Sequence, residues 1–425
     1  MMNKMTQYCD NPDKSLRPAF RFVIETSVYI YYSYQSQILY LMTAKTRQST
    51  LQPGVAQQIS TRLAFFISGL GMAAWAPLVP FAKERIGLND ASLGLLLLCI
   101  GVGSMLAMPL TGVLTAKWGC RAVILLAGAV LCLDLPLLVL MNTPVTMALA
   151  LLVFGAAMGI IDVAMNIQAV IVEKASGRAM MSGFHGLFSV GGIAGAGGVS
   201  ALLWLGLSPL TAILATVALM IILLLTANKN LLQGSGEPHD GPLFVLPRGW
   251  VMFIGFLCFV MFLAEGSMLD WSAVFLTTLR GMDPSQAGMG YAVFAIAMTL
   301  GRLNGDRIVN GLGRYKVLLG GSLCAAVGII TAISIDNSIA ALIGFMLVGL
   351  GASNVVPILF TAAGNQTVMP ANLAVASITT IGYAGILAGP AAIGFVAQVS
   401  NLSVAFGCVA LLLLTVTASA RAVTR

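Results

Sequence analysis

The chain is too apolar for a water-soluble protein. Of its 425 residues, 58% are hydrophobic and only 9% are charged, whereas soluble domains carry about 25% charged residues. The net charge of +7 would indicate a nucleic-acid partner in a soluble protein. Here the basic residues follow membrane topology instead, so no nucleic-acid binding is expected.

Residues 1–61 differ in composition from the rest of the chain. Six of the nine tyrosines lie there, in Tyr8 and in the stretch VYIYYSYQSQILY at residues 28–40. The stretch holds too many polar residues for a signal-peptide core or a membrane span. We interpret residues 1–61 as an N-terminal extension. It is either an interfacial segment or sequence upstream of a native start at Met42, and we prefer the second interpretation.

Apolar runs of about 20 residues recur after this extension, and each can cross a roughly 30 Å hydrocarbon layer as a helix. The runs are continuously apolar and lack the period-two alternation of barrel strands, which favours helices. The sequence therefore predicts an all-α polytopic membrane protein with twelve transmembrane helices. These lie near residues 62–82, 92–115, 121–141, 145–171, 180–204, 209–227, 250–276, 286–304, 315–335, 338–362, 372–398 and 402–421.

A polar stretch separates the sixth span from the seventh. It reads NKNLLQGSGEPHDGPLFVLPR, residues 228–248, and its Gly and Pro content is typical of a linker. The chain therefore divides into an N-terminal six-helix half at residues 62–227 and a C-terminal six-helix half at residues 249–425.

The loop charges predict the orientation in the membrane. Twelve Lys and Arg residues fall on the face that holds the linker, and only Lys83, Arg85 and Arg280 fall on the other. Loops rich in Lys and Arg stay in the cytoplasm. The linker and both termini are therefore expected on the cytoplasmic side.

The two halves resemble copies of each other. A shift of 194 residues without a gap superposes six glycines of the first half on six of the second. At this glycine density about two to three matches would arise by chance. The pairs are Gly87 with Gly281, Gly94 with Gly288, Gly119 with Gly313, Gly155 with Gly349, Gly191 with Gly385, and Gly195 with Gly389. Duplicated helical halves with a site between them are a transporter architecture.

Two loops resemble the signature of the major facilitator superfamily. GVLTAKWGCR, residues 112–121, follows span 2, and DRIVNGLGRYK, residues 306–316, follows span 8. The first keeps the family's glycines and basic residues but has Ala116 at the acid position, and the second has Asn310 there. The resemblance implies the fold of that superfamily from residue 62 onward and a gate at these loops. The gate residues are Gly112, Lys117, Gly119, Arg121, Gly313 and Arg314.

Arg302 and Asp306 are expected to support this gate in place of the missing loop acid. They lie four residues apart at the end of span 8. Residues at this spacing share one face of a helix, so the two side chains are predicted to pair.

Within the superfamily the chain is similar to proton-coupled sugar symporters of the fucose type. The similarity lies in AWAPLVPFAKE (74–84) and DVAMN (162–166). It implies that Asp162 couples protons and that Asn166 contacts the solute, although the acid that the group has on span 1 is replaced by Ala76. FHGLFSVGG (184–192) and EGSMLDWS (265–272) resemble uncharacterised bacterial inner-membrane members more closely. That likeness implies the inner membrane as the location.

Four acids fall in or near the spans, and the apolar runs hold no basic residue in their interior that could neutralise them. Burial disfavours the charged form of a carboxyl group. Such an acid is therefore protonated, lines a wet cavity or meets a cationic ligand. Asp162 is predicted to carry protons, with hydrogen bonding to a neighbouring helix as the alternative. Glu265 is expected in the cavity, Asp270 at the membrane interface and Asp134 in a structural role.

Other polar residues of the spans are weaker candidates. His185 in span 5 could contact solute or relay protons, with hydrogen bonding in a packed interface as the alternative. Tyr383 in span 11 is a candidate for the substrate cavity, and Gln168, Asn354 and Gln398 could also line the path. The cysteines and the two histidines lack ligand spacing, so no metal and no cofactor are expected.

The sequence thus predicts a monomeric secondary transporter that moves a small organic solute across the bilayer by alternating access, coupled to protons. The resemblance favours a sugar or a related metabolite. The alternatives are an uncoupled facilitator or exporter of a cationic or amphipathic solute, and a non-transporting sensor on the same fold. An enzyme is not expected, because converging nucleophiles, metal ligands and a phosphate loop are not recognisable.

Overall fold

The structure, a computed structural model, describes residues 54–88, 90–234, 246–283, 286 and 288–424. The predictions for residues 1–53 lie outside this range. Every regular element in the described ranges is helical. The helices are α1 Val55–Ala74, α2 Val79–Ile86, α3 Asp90–Leu140, α4 Pro144–Ser176, α5 Met181–Trp204, α6 Pro209–Asn228, α7 Gly249–Leu279, α8 Met289–Leu312, α9 Arg314–Ser334, α10 Ser338–Ala352, α11 Val355–Asn365, α12 Ala371–Val399 and α13 Leu402–Val423, with a short 3-10 turn at Ala76–Leu78.

These helices make up twelve spans that fit the predicted ones. Ten stretches of helix in the described residues are long and apolar enough to cross a membrane. One of them, Leu95–Leu140, is 46 residues long and holds two spans that meet at Gly119. Helix α8 is less apolar because it carries Arg302, Asp306 and Arg307, and it supplies the twelfth. The all-α prediction with two six-helix halves is confirmed.

Matching glycines turn the chain in the two halves. Gly119 has φ 80° and ψ 160° inside α3, and Gly313 has φ 83° and ψ 152° between α8 and α9. A side chain at such positive φ is strained, so glycine is the residue that this turn favours. The two positions are 194 residues apart. We call the end of the bundle that carries these two turns the motif end.

The same tertiary contacts recur in both halves. Arg85 donates to the carbonyls of Leu138 and Met141, and Arg280 donates to those of Ala332 and Ile333. Gly155 packs against the Ile100 carbonyl, and Gly349 packs against the Phe294 carbonyl, again 194 residues on. The close approach of the backbones at both glycines leaves no room for a side chain. The repeat seen in the sequence is therefore a repeat of structure.

Helix α8 extends farther than the apolar pattern predicts. The predicted span ends near residue 304, but the helix continues to Leu312. Arg302 consequently lies within a helix, with only 8% of its surface exposed. The expectation that no span holds a basic residue in its interior is wrong. The apolar pattern failed here because the polar groups of α8 find partners on neighbouring helices, which the sequence does not display.

The tenth span is discontinuous. Helix α10 ends at Ala352 and α11 begins at Val355, with Ser353 and Asn354 between them. The Asn354 amide donates to the Gly301 carbonyl at 3.3 Å and to Ser353 Oγ at 2.9 Å. Asn354 therefore ties the break to α8 one residue before Arg302.

Candidate functional site

The Asp162 carboxyl group lies near the middle of α4 and is buried. It comes from the first half of the chain, and the Tyr383 hydroxyl group on α12 of the second half faces it. None of the ion pairs found among the described residues involves Asp162. Asp162 is therefore a buried acid that contacts the other half through a neutral group.

Asn166 lies one turn beyond Asp162 on the same face of α4. Its amide nitrogen donates to the Asp162 carbonyl at 2.9 Å and lies 3.4 Å from the Asp162 carboxylate. The residue is fully buried, yet its amide oxygen has no partner among the residues that the structure describes. Buried acceptors are nearly always satisfied, so this oxygen is available to a donor on a bound molecule.

Glu265 of α7 pairs with Arg302 of α8. Arg302 Nη2 lies 3.4 Å from each carboxylate oxygen, and Nη1 lies 3.4 Å from Ser189 Oγ on α5 of the other half. Both side chains of the ion pair are largely buried. Tyr383 lies close enough to interact with Glu265 as well as with Asp162. The predicted proton carrier and the predicted cavity acid thus both lie near one tyrosine, and of the two only Glu265 has a cationic partner within the described ranges.

His185 of α5 lies between two phenylalanines. Its ring centroid is 5.2 Å from that of Phe65 on α1 and 5.6 Å from that of Phe360 on α11. Its Nε2 atom is buried and has no partner in the part of the chain that the structure describes. Arg302 is near enough to interact with the ring electrostatically. His185 therefore belongs to the packing between the halves, beside the Arg302 cluster.

The predicted pairing of Arg302 with Asp306 is wrong. Arg302 points to Glu265, whereas Asp306 Oδ1 accepts the backbone N–H of Gly183 at 2.9 Å. Gly183 lies in the first turn of α5, where unpaired N–H groups attract an acid. Spacing along α8 could not reveal this partner, because it comes from the other half of the chain.

Glu173, which is absent from the predicted site residues, joins the two halves at the motif end. Its Oε2 atom accepts the N–H groups of Met180 and Met181 at 2.8 Å each. Its Oε1 atom accepts the Thr361 hydroxyl at 2.5 Å and lies 3.4 Å from Arg314 Nη2. An acid in the last turn of a helix opposes the helix dipole. That position in α4 was a signal that could have marked the residue.

Two further sets of hydrogen bonds close the motif end. Asn310 exchanges two bonds of 3.0 Å with the backbone of Ala179, and the Asn372 amide donates to the Gly112 carbonyl at 2.8 Å. Each joins the first half to the second. The motif end of the bundle is therefore closed in this structure.

Gln168 joins three segments of the chain through hydrogen bonds. Its amide nitrogen donates to Thr61 Oγ1 at 2.9 Å, and its carbonyl oxygen accepts the Leu232 N–H at 3.1 Å. It thereby joins α4 to α1 and to the segment after α6. The described residues hold no group of three or more His, Cys, Asp or Glu that could bind a metal ion.

Residues 62–390 match the family model of the Major Facilitator Superfamily. The chain belongs to this superfamily. It is 91% identical over 384 residues to an uncharacterised MFS-type transporter of Yersinia pestis, a match that covers 90% of this chain and 100% of that one. It is also 32% identical over 344 residues to the membrane protein MosC of Rhizobium meliloti, covering 80% of this chain and 83% of that one. The predicted family is confirmed, and the protein is a multi-pass membrane transporter.

Solved transporters share the fold. The Escherichia coli fucose:proton symporter FucP in its outward conformation superposes with a TM-score of 0.73 at 16% identity, over 87% of this chain and 98% of that one. The proton:xylose symporter XylE gives 0.68 at 11% identity, over 87% and 95%. At these identities the likeness concerns the arrangement of helices.

The two loop motifs of the superfamily make different contacts in this chain. Arg121 of the first motif donates to Asn228 Oδ1 at 2.8 Å, and its backbone N–H donates to the Leu232 carbonyl at 2.8 Å, so it holds the segment that follows α6. Lys117 is exposed. In the second motif, Arg314 reaches Glu173 of the other half. The second motif thus contacts the other half through Asp306, Asn310 and Arg314, whereas the first motif does so through the Gly112 carbonyl.

Proposed function

We propose that the protein is a proton-coupled symporter of a small organic solute and that Asp162 carries the proton. One observation supports this most directly: a buried carboxyl group of the first half meets a neutral hydroxyl group, Tyr383, of the second. A buried carboxylate without a cationic partner is costly, whereas its protonated form is tolerated. Gain and loss of the proton would therefore change how strongly the two halves attract each other.

Alternating access would proceed by opening the motif end as the opposite end closes. The bonds of Glu173, Asp306, Asn310 and Asn372 would have to break in that step. We place the motif end in the cytoplasm of a bacterial inner membrane, with both termini on that side, because the loops there carry most of the Lys and Arg residues. The closed motif end then corresponds to a state that receives solute from outside the cell.

The solute would bind between Asn166, Tyr383 and Glu265. Asn166 offers a buried unpaired acceptor, and Tyr383 and Glu265 offer hydroxyl and carboxylate groups near it. Hydrogen-bonding groups of this kind suit a solute with several hydroxyl groups. The sugar symporters that share the fold bind such solutes, and this supports a sugar or a related metabolite.

The remaining segments would have supporting roles. Residues 228–248 would link the two halves on the cytoplasmic side. The predicted boundary of the N-terminal extension at residue 61 is wrong, because α1 already begins at Val55 and Thr61 is buried in it; the remainder of the extension would have no part in transport. The loops at the gate would be shaped by Lys117, Arg121, Gly119 and Gly313. The gate would be closed by Asp306 and Arg314.

Solute and proton flux in proteoliposomes tests the proposal. Candidate solutes are supplied to purified wild-type protein and to Asp162→Asn, and the uptake of solute and the change in lumenal pH are recorded together. We expect proton flux to accompany solute uptake in the wild type and to disappear in Asp162→Asn. Asp270→Asn is the matched control, because Asp270 is an exposed acid on α7.

One result would reject the coupling. If Asp162→Asn leaves both solute uptake and its pH dependence unchanged, Asp162 carries no proton. Uptake or efflux of a cationic solute without proton flux, lost in Asp162→Asn, would instead indicate the uncoupled transporter in which the acid serves as a counter-charge.

A further inference from the structure

The guanidinium group of Arg302 is buried but incompletely satisfied. Its three contacts, to the two Glu265 oxygens and to Ser189 Oγ, are each 3.4 Å long. Well-formed bonds between a cation and a carboxylate measure about 2.7–2.9 Å. Its Nε atom has no partner among the described residues, although the residue is only 8% exposed. A buried group with five donors and contacts this long has capacity for a further acceptor.

The position of Arg302 suits a ligand that lies between the halves. Glu265 holds it from α7 of its own half, and Ser189 reaches it from α5 of the other half. His185, also on α5, presents a buried Nε2 atom without a described partner and interacts with Arg302. The unsatisfied groups of both halves thus cluster about one cation.

Building on the proposed symport function, we propose that the solute carries a carboxylate group and that Arg302 binds this carboxylate in place of Glu265. Glu265 is then the group that gives way when the solute binds. The solute class is a small hydroxylated organic acid.

Charge balance explains why such a solute would bind together with a proton. The resting cluster holds one cation and one carboxylate, and a second carboxylate alone would leave a negative charge uncompensated in a buried site. A proton bound to Glu265, distinct from the transported proton that Asp162 carries, removes that excess and frees the Nη2 atom of Arg302. The net charge of the cluster is then the same before and after solute and proton have both bound.

Among the groups that face Glu265, Arg302 is the cationic partner. Arg302 and Tyr291 face it from α8, Tyr383 faces it from α12, and Cys258 lies on its own helix α7. Arg302 is the basic group of this set. Competition between the solute and Glu265 is therefore competition for one guanidinium.

Thermal-shift titration of the purified full-length protein tests the inference with matched solutes. The pairs are D-glucuronate with D-glucose, D-galacturonate with D-galactose, and D-gluconate with D-glucitol, which differ by one carboxylate. Titrations at pH 6 and pH 8 keep these carboxylates ionised. We expect at least one acid to stabilise the protein with an apparent Kd about tenfold lower at pH 6 than at pH 8, while its neutral counterpart has no effect.

Three variants separate the roles of the pair. Glu265→Gln removes the competing charge, so the apparent Kd for the acid at pH 8 is expected to fall within about twofold of the value at pH 6. Arg302→Gln should weaken acid binding at least about tenfold, and Arg302→Lys should restore part of it. Asp270→Asn, on the same helix as Glu265 and exposed, should keep the pH dependence of the wild type.

Three outcomes would overturn the inference. They are equal binding of an acid and its neutral counterpart, an unchanged pH dependence in Glu265→Gln, and failure of every acid to bind both the wild type and Glu265→Gln. Because Glu265→Gln is tested independently, the inference can still fail even if Arg302→Gln does not fold. If neutral solutes enter together with protons, this inference fails and the symport proposal stands. If an acid binds but no proton flux accompanies its uptake, the symport proposal fails and this inference stands.

Discussion

Glu173 at the end of α4 and Arg314 at the start of α9 lie on opposite halves of the protein, with 3.4 Å between Oε1 and Nη2. The same carboxylate also accepts the Thr361 hydroxyl of the second half and two backbone N–H groups of its own half. Because its partners come from both sides, Glu173 holds the halves together only while the motif end is closed.

Thr361→Val should open the motif end without disturbing either half. Valine keeps the shape of threonine and removes the bond to Glu173. The loss of a hydrogen bond to a charged group costs about 1.5–3 kcal/mol. The ratio of closed to open protein should therefore fall roughly tenfold or more. A cysteine introduced at Val170, which packs against Gly364 of the other half, should react faster with a polar maleimide, and mass spectrometry resolves that site from the native cysteines.

Thr379→Val is the matched control for this experiment. Thr379 is fully buried, and its hydroxyl donates to the Val375 carbonyl of its own helix at 2.8 Å. It should leave the alkylation rate at residue 170 unchanged. Equal rates in the wild type and in Thr361→Val would show that Glu173 does not govern closure.

Tyr383→Phe should uncouple Asp162 from the second half. The change removes the hydroxyl that faces Asp162 but keeps the ring, which packs against Phe262 at 5.8 Å. Loss of the hydroxyl group that faces the Asp162 carboxyl group predicts a fall in solute uptake of about tenfold. Apparent Tm should change little, because the ring packing remains.

A double-mutant cycle measures whether the two groups act together. If the hydroxyl acts through Asp162, Tyr383→Phe should cost nothing further in an Asp162→Asn background. Additive losses of uptake in the double variant would contradict the pairing. The readout is the initial rate of uptake at saturating solute, compared across the four proteins.

The apolar pattern was enough to predict the number of spans and the division into halves. Helices form wherever about 20 apolar residues must satisfy their backbone in lipid, so this part of the fold depends on local composition. The six glycine matches also anticipated real geometry, because positive φ at Gly119 and Gly313 and close packing at Gly155 and Gly349 are properties of single positions.

The partners of charged residues could not be predicted in this way. Arg302 was expected to pair within its own helix, yet Glu265 lies 37 residues away in sequence and Gly183, which binds Asp306, lies 123 residues away. These separations reflect tertiary packing, within the second half for Glu265 and between the halves for Gly183, and spacing on one helix does not encode it. Burial of Asp162 was anticipated from its apolar surroundings, but Tyr383 was only one of several polar candidates.

Gly155→Ala and Gly349→Ala should destabilise the two halves alike. A methyl group at either glycine would collide with a backbone carbonyl, that of Ile100 or Phe294. Since a backbone carbonyl cannot rotate away, each variant should lose about 1–3 kcal/mol, as overpacked cores do. Gly197→Ala is the control: open space surrounds that position within α5, and alanine favours a helix over glycine by about 0.5–1 kcal/mol. A lower apparent Tm for Gly197→Ala than for Gly155→Ala would contradict the packing argument.

Arg280→Gln should destabilise the second half through lost carbonyl bonds rather than through a lost ion pair. Arg280 Nη2 donates to the carbonyls of Ala332 and Ile333 at 2.7 and 2.9 Å, and its guanidinium stacks 4.8 Å from the centre of the Phe275 ring. Its ion pair with Asp336 is 3.3 Å long, but the Asp336 side chain is 90% exposed. Exposed pairs contribute little, whereas bonds from a charged donor contribute about 1.5–3 kcal/mol.

The two effects separate in a thermal scan of the purified protein. Arg280→Gln should lower the apparent Tm by several degrees, about as much as Arg85→Gln lowers it, because Arg85 makes the matching carbonyl bonds in the first half. Asp336→Asn should lower it by less than about 1 °C. If Asp336→Asn destabilised the protein as much as Arg280→Gln, the ion pair would be the stabilising contact. Arg280 and Arg85 would then not have equivalent roles in the two halves.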